Sequence, residues 1–339
     1  MEFVRAIDNN DIEYVKHIIN NTDVNIDSGQ YTTGNTALNY AAMKNNLDIV
    51  KLLVKGGANL EKENDNGETP LYNAVHHNNI EIVKFLIESG ANINKAEALD
   101  HYTPLHLALF CPGYQLDLNS YKKFFNIATL LIKSGANLDA ETSPLHRTPL
   151  HMLINTSIQI NADFDDKDAK KLNKDVIKIA KLLIQGGATV NALDYENDTP
   201  LHYAFKVDVV DDEPMRDNDY ELAYILLEAG ADNRLFNKDL FTPFDVAVVD
   251  DLTRFGEFLK KKNVTKKYAK KLTQKIRERA MTNRVTKTLV RSRKIPSDLA
   301  PLIAEYGAGV NKRTRRRDQK KTKKKRRKKR VLIEFAEKN

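Results

Sequence analysis

The stretch "GETPLYNAVHHNNIEIVKFLIESGANI", residues 67–93, decides how this chain folds. Thr69 stands directly before Pro70, a pairing suited to a helix start: the hydroxyl caps free amides and proline fits the first turn. Leu71 follows and faces inward, and the small Ala74 lets a neighbouring helix approach closely. The second half carries a helical stripe of apolar residues and stops at Gly90, the residue type that supplies a left-handed helix end.

The same unit recurs along the sequence, which is the mark of a repeat architecture. Its Thr position returns at Thr36, Thr69, Thr103, Thr148, Thr199 and Thr242, in "TALN", "TPLY", three copies of "TPLH", and "TPFD". The glycine end returns in "VKGGANL", "IESGANI", "IKSGANL", "IQGGATV" and "LEAGADN". The stripe before it is Ile49, Val50, Leu52 and Leu53 ahead of Gly57, and Leu222, Ala223, Ile225, Leu226 and Leu227 ahead of Gly230. Small residues accompany the inward leucines at Ala41, Ala74, Ala108, Ala204 and Ala247. Ahead of them, "FVRAIDNNDIEYVKHIINNTDVNID" reads as a worn second half, which gives seven units between about residue 2 and residue 262.

On these motifs the chain resembles the ankyrin-repeat family across about three quarters of its length. The resemblance implies an all-α ankyrin-repeat solenoid, made of stacked helix pairs with β-hairpin fingers, whose work is to bind other proteins. Asn39, Tyr72 and Asp245 depart from the motif by replacing its histidine, and Ala37 replaces its proline. The fingers are the expected partner surface. Their tips fall near Tyr31, Asp65, Asn66, Asp100, His101, Tyr102, His146, Arg147, Tyr195, Glu196, Asn197, Lys238 and Asp239. Some of these are expected to be only turn formers.

Successive Thr positions lie 33, 34, 45, 51 and 43 residues apart. The distance from glycine to the next Thr is nearly constant, so the extra length sits between the two helices of units four, five and six. These insertions, "CPGYQLDLNSYKK", "NTSIQINADFDDKDAKKLNKD" and "VDVVDDEPMRDND", are expected to be loops on the edge opposite the fingers, the last two solvated and acidic. A calcium loop in "NADFDDKDAKK" fails because Lys167 interrupts the ligand alternation and the turn glycine is missing.

No nucleotide-binding glycine loop, GxSxG elbow or HExxH zinc motif occurs. The histidines of "TPLH" (His106, His151 and His202) follow the repeat, and in ankyrin repeats this histidine is a structural hydrogen-bonding residue. One cysteine, Cys111, allows neither an intrachain disulfide nor a CxxC metal site. The expectation is a noncatalytic, monomeric protein with no cofactor, no metal and no membrane span, inside the cell in cytoplasm or nucleus.

The charge is divided. Residues 1–259 carry 23 Lys and Arg against 40 Asp and Glu, a net of −17, while residues 260–339 carry 31 against 6, a net of +25. Such opposition points to an interaction tail. Residues 263–292 read as a basic amphipathic helix, favoured as packing on the last repeat. Residues 293–309, "RKIPSDLAPLIAEYGAG" with its flanks, resemble the F-box-like (PRANC-type) box that closes ankyrin proteins of large DNA viruses, and more distantly a SOCS box. That resemblance implies an adaptor contact, with a Skp-type protein or elongin, through Ile295, Pro296, Leu299, Leu302 and Ile303, and a host cell as the setting. Residues 310–339 read as a disordered polybasic tail. Within residues 312–330, 15 of 19 side chains are basic, among them Lys312, Arg315, Arg316, Arg317, Lys323, Lys324, Lys325, Arg326 and Arg327. The tail suits a nuclear localisation signal or nonspecific phosphate contact with nucleic acid. A fold-back of the tail onto the acidic insertions is a further expectation.

Overall fold

A computed structural model describes residues 2–21, 25–29, 33–111, 116–206 and 217–246, with Phe255 and Phe258. The basic helix, the F-box-like box, the tail and Tyr31 lie outside the described residues, as does the fold-back expected of the tail. Six helix pairs follow one another: α1 (Glu2–Asp8) with α2 (Ile12–Asn21), α3 (Ala37–Met43) with α4 (Leu47–Lys55), and α5 (Pro70–His76) with α6 (Ile80–Glu88). Then come α7 (Pro104–Phe110) with α8 (Leu118–Lys133), α9 (Pro149–Asp163) with α10 (Asp166–Gln185), and α11 (Pro200–Phe205) with α12 (Asp217–Glu228). A further opening helix, α13 (Pro243–Val246), packs on α11. The worn first unit is more than a second half: it forms a complete pair.

Each pair is built as its residues dictate. The repeat Thr is the N-cap of α3, α5, α7, α9 and α11, with extended backbone, and Pro occupies the first turn of the last four. Leu38, Leu71, Leu105, Leu150 and Leu201, each two residues after the Thr, are fully buried. Leu53, Leu86, Leu131, Leu183 and Leu226, each four before the glycine, are equally buried. First helices pack on first helices and second on second, so this double row of leucines is one continuous core. In the first three units a left-handed asparagine (Asn10, Asn45 or Asn78) turns the chain between the helices. The next residue in units two and three, Asn46 or Asn79, donates its side-chain amide to Ile7 O at 2.8 Å or Ala42 O at 2.7 Å, sealing the end of the preceding unit's first helix.

The insertion of unit five is not a loop. Its residues lengthen α9 to 15 residues and α10 to 20, joined by a turn at Phe164 and Asp165. "NADFDDKDAKK" is therefore a helix–turn–helix junction. Asp165 is the N-cap of α10, its carboxylate accepting from the amides of Lys167 at 3.0 Å and Asp168 at 2.9 Å. Its replacement by alanine is expected to cost about 1 kcal/mol, read as an earlier urea unfolding midpoint. Along the lengthened pair, Ile160, Ala169, Leu172 and Val176 are buried, and so are Thr156, Ser157 and Asn173. Ser157 Oγ donates to Asn173 Oδ1 at 3.0 Å, and Asn173 Nδ2 donates to Asn161 Oδ1 at 2.8 Å. Thr156 Oγ1 donates to Leu109 O at 2.5 Å, taking over the sealing part played by asparagine in earlier units. In unit four the added length goes partly into α8, which runs to 16 residues and is capped by Asp117. Most of the third insertion, including Asp208, Asp211, Asp212 and Glu213, lies outside the described residues.

Candidate functional site

Between each glycine and the next Thr, the chain makes a finger. The fingers are tight turns closed on themselves by backbone bonds, among them Asn64 N to Glu68 O, Glu97 N to Tyr102 O, Thr142 N to Arg147 O, Asp194 N to Asp198 O and Asn237 N to Phe241 O. No strand forms among the described residues, so the hairpins expected of the fingers are turns here. The residue two before each Thr is left-handed in all six fingers: Gly34, Gly67, His101, His146, Asn197 and Leu240. This position reverses the chain, and it assigns His101, His146 and Asn197 the work of turn formers.

Three sets of bonds fasten each finger to its neighbour. The tips are linked by single backbone bonds: Asp65 N to Thr33 O, Ala98 N to Asn66 O, Ser143 N to Asp100 O, Tyr195 N to Leu145 O and Lys238 N to Glu196 O. At the finger bases, a side chain of one unit accepts the amide two residues after the next unit's glycine end. The pairs are Asp27 with Asn59 at 2.9 Å, Glu61 with Asn92 at 2.6 Å, Asn94 with Asn137 at 2.7 Å, Asp139 with Thr189 at 2.7 Å and Asn191 with Asp232 at 2.8 Å.

The third set explains the motif histidine. His106, His151 and His202 are buried, and each Nδ1 lies 2.8–2.9 Å from the hydroxyl of its capping Thr. The backbone amides of Thr103, Thr148 and Thr199 also donate to Nδ1, at 3.3, 3.2 and 3.0 Å, so Nδ1 is an acceptor. On the other side Nε2 lies 3.1 Å from Arg147 O, 3.1 Å from Asp198 O and 3.0 Å from Phe241 O. A carbonyl can only accept, so Nε2 carries the proton and the ring is the neutral Nε2–H tautomer. Burial holds His106 and His151 well below the ordinary histidine value, at about 4, and lowers His202 as well. Asn39 reproduces the arrangement: it pairs with Thr36 Oγ1 and donates to Glu68 O at 2.9 Å. Asp245 keeps the near half, accepting from Thr242 N at 3.1 Å and Thr242 Oγ1 at 2.6 Å. Tyr72 keeps neither polar contact of the ring and packs edge-on to His76. Asn39 thus still joins its unit to the next finger without the histidine.

The tip residues divide into two groups. Asp65, Asn66, Asp100, Tyr195, Glu196, Lys238 and Asp239 are exposed, with Lys238 Nζ 3.4 Å from the centre of the Tyr195 ring across two fingers. Tyr102 and Arg147 instead lean inward, half-buried. Tyr102 meets the rings of His106 and Phe110, and the Arg147 guanidinium lies 5.6 Å over Tyr203, whose hydroxyl donates to Asp194 Oδ2 at 2.8 Å. The polar bias of the sequence reading passed over the exposed apolar residues of the same fingers, Leu99, Leu145, Leu193, Phe236 and Leu240. Their signal in the sequence was a large aliphatic or aromatic side chain inside a turn.

Cys111 caps α7 in a left-handed conformation, with its thiol buried and pushed far up by desolvation. No group of three or more His, Cys, Asp or Glu suited to a metal ion occurs among the described residues, and no described helix is long and apolar enough to cross a membrane.

The comparisons with known proteins follow the same register. The family model "Ankyrin repeats (3 copies)" matches residues 3–97, and "Ankyrin repeat" matches residues 100–143. No curated protein matches the chain. The ankyrin repeat domain of Bcl-3, described as a member of the IkappaB protein family, is similar at 22% identity with a TM-score of 0.58, covering 77% of this chain and 98% of that one. An ankyrin repeat domain from Acinetobacter baumannii is similar at 23% identity and TM-score 0.53, covering 68% of this chain and 98% of its own. The human ASB11 ankyrin repeat domain gives 21% identity and TM-score 0.51, covering 73% and 92%. The Thr caps, the bridging histidines and the linked fingers agree with these matches: the chain carries ankyrin repeats over residues 3–143 and has the ankyrin-repeat fold.

Proposed function

We propose that this protein is a noncatalytic scaffold that binds another protein along its finger row. One observation carries the reading: the tips are bonded to one another from Thr33 to Lys238 while side chains such as Asp65, Asp100, Glu196 and Asp239 stay exposed. Side chains presented on a pre-ordered frame lose little freedom when a partner docks, which favours recognition. The groups that would serve catalysis are otherwise engaged, since both nitrogens of each motif histidine are hydrogen-bonded and the Cys111 thiol is buried. The test is affinity capture with the full chain beside a variant carrying Asp100→Ala, Tyr195→Ala, Glu196→Ala and Asp239→Ala. A protein held by the wild type is expected to fall at least tenfold on the variant, with helical circular dichroism unchanged. Equal recovery on both sinks the reading.

The finer form of this proposal makes the scaffold an adaptor that presents its client to a host ubiquitin ligase through residues 293–309. It is supported by the match of Ile295, Pro296, Leu299, Leu302 and Ile303 to the F-box-like pattern. Purified Skp-type adaptor or elongin is expected to bind the full chain and to be released by Leu299→Ala, Leu302→Ala and Ile303→Ala together; no binding of either removes it. A second reading, a nuclear or nucleic-acid-associated protein anchored by its tail, is supported by the 15 basic residues among the 19 of 312–330. Deleting that stretch is then expected to abolish nuclear entry or salt-sensitive nucleic-acid binding.

A further inference from the structure

The finger row combines two chemistries. The five segments 58–69, 91–103, 136–148, 188–199 and 231–242 hold 13 Asp and Glu against five Lys and Arg. Asp100, Glu196 and Asp239 stand at the same place in their fingers, three before the Thr, and all are exposed. Leu145 takes that place in the finger between the first two. Around them lie Leu99, Leu193, Tyr195, Phe236 and Leu240, so that large apolar side chains stand exposed on four consecutive fingers, those preceding α7, α9, α11 and α13. Tip-to-tip backbone bonds hold these four fingers side by side.

Leu240 adds an independent sign. It is 77% exposed and left-handed at φ +60°, at the position filled elsewhere by Gly, His or Asn. A branched aliphatic residue there is unfavourable both for the backbone and for solvation. A residue that breaks two local rules while it stands exposed points to use by something outside the chain.

We propose that these four fingers bind a segment of another protein in which Lys or Arg side chains are interspersed with aliphatic or aromatic ones, a partner class that rests on the scaffold reading above. The exposed carboxylates attract a basic segment and repel acidic ones or phosphate backbones, which sets encounter rate and selectivity. The apolar tips supply burial that charge alone does not. The stretch 312–330 of this chain matches only half of that description, since it contains no aliphatic or aromatic residue.

A phage-displayed library of random 12-residue peptides, selected on the full chain, tests the assignment. Two variants serve as counter-targets: one with Leu145→Ser, Tyr195→Ser, Phe236→Ser and Leu240→Asn, the other with Asp100→Lys, Glu196→Lys and Asp239→Lys. Selected peptides are expected to be net positive, to carry several aliphatic or aromatic residues, and to bind each variant at least tenfold more weakly. The single change Leu240→Asn is expected to weaken them while raising the melting temperature, which separates lost binding from lost folding. Peptides with no basic excess that still lose affinity for the first variant overturn this inference and leave the scaffold reading standing. A pool indifferent to both variants overturns both. A synthetic 312–330 peptide that binds the fingers as tightly as the selected ones also overturns the inference, because charge alone would then suffice.

Discussion

Between pH 7 and pH 5 the folded repeats are expected to lose about 4 kcal/mol of stability through two histidines. His106 and His151 are held neutral by burial at about 4, against an ordinary value near 6.5. Well above pH 6.5 neither the folded nor the unfolded chain protonates them, so they confer no pH dependence there. As the pH falls below 6.5 the unfolded chain takes up protons that the folded chain refuses, and unfolding is favoured. The loss continues until the pH nears 4, where the folded rings begin to accept protons too. At pH 5 the difference is about 2 kcal/mol for each ring. The lowered value of His202 acts in the same direction. Asp8, Asp117 and Asp168 are lowered by hydrogen bonds, and they lose that contribution only at a lower pH, outside this window. Urea unfolding followed by circular dichroism at pH 7 and pH 5 measures the effect. The double variant His106→Asn, His151→Asn should flatten it, since Asn39 already makes the same two contacts without a titrating ring. An unchanged midpoint in the wild type would contradict the neutral state assigned to the two buried rings.

The second large effect is expected at Gly67. Its φ is +75°, and a Cβ built there falls 2.5 Å from the Ala98 Cβ and 2.6 Å from the Ala98 backbone nitrogen. That nitrogen donates to Asn66 O, the bond tying this finger to the next. Gly67→Ala therefore combines left-handed strain, roughly 1–2 kcal/mol, with displacement of a linking bond worth about 1 kcal/mol. A total near 3 kcal/mol is expected, with the finger before α7 losing hydrogen-exchange protection. Gly187 offers the contrast. It is also left-handed, at φ +98°, but nothing lies within 4 Å of its Cβ position. Gly187→Ala should cost only the strain. Equal costs at the two sites would mean that contact between fingers contributes little.

The Thr and glycine marks made the stacked helix pairs legible, because a cap and a left-handed end are local chemistry that any single unit displays. The lengthened helices of unit five were not legible, and the reason is specific. "NTSIQINADFDDKDAKKLNKD" looks solvated because it is polar, yet Thr156, Ser157 and Asn173 are buried and satisfied by one another, by Asn161 and by Leu109 O. A reading based on apolar period cannot count a polar residue as core. The same bias directed attention to polar finger tips. It named Tyr195, Glu196 and Asp239, missed Leu145, Phe236 and Leu240, and took Tyr102 and Arg147 for tips when their side chains lean inward. Equivalence between Asn39 and the motif histidine was hidden for a related reason. Letters differ, but an amide and a neutral imidazole each combine an acceptor atom with a donor atom on one planar group.

Each linking bond described for the fingers joins one unit to the next and none spans two. Mechanically the row is a zipper, with strength in series rather than in parallel. The same tension would run through every unit, and the units would let go one at a time, each at its own force. Stretched in an optical trap, such a row yields a sawtooth instead of a single rupture. An unfolding machine pulling from one terminus would meet many small steps, and a client seated on the inner fingers would keep its footing until the outer units had gone.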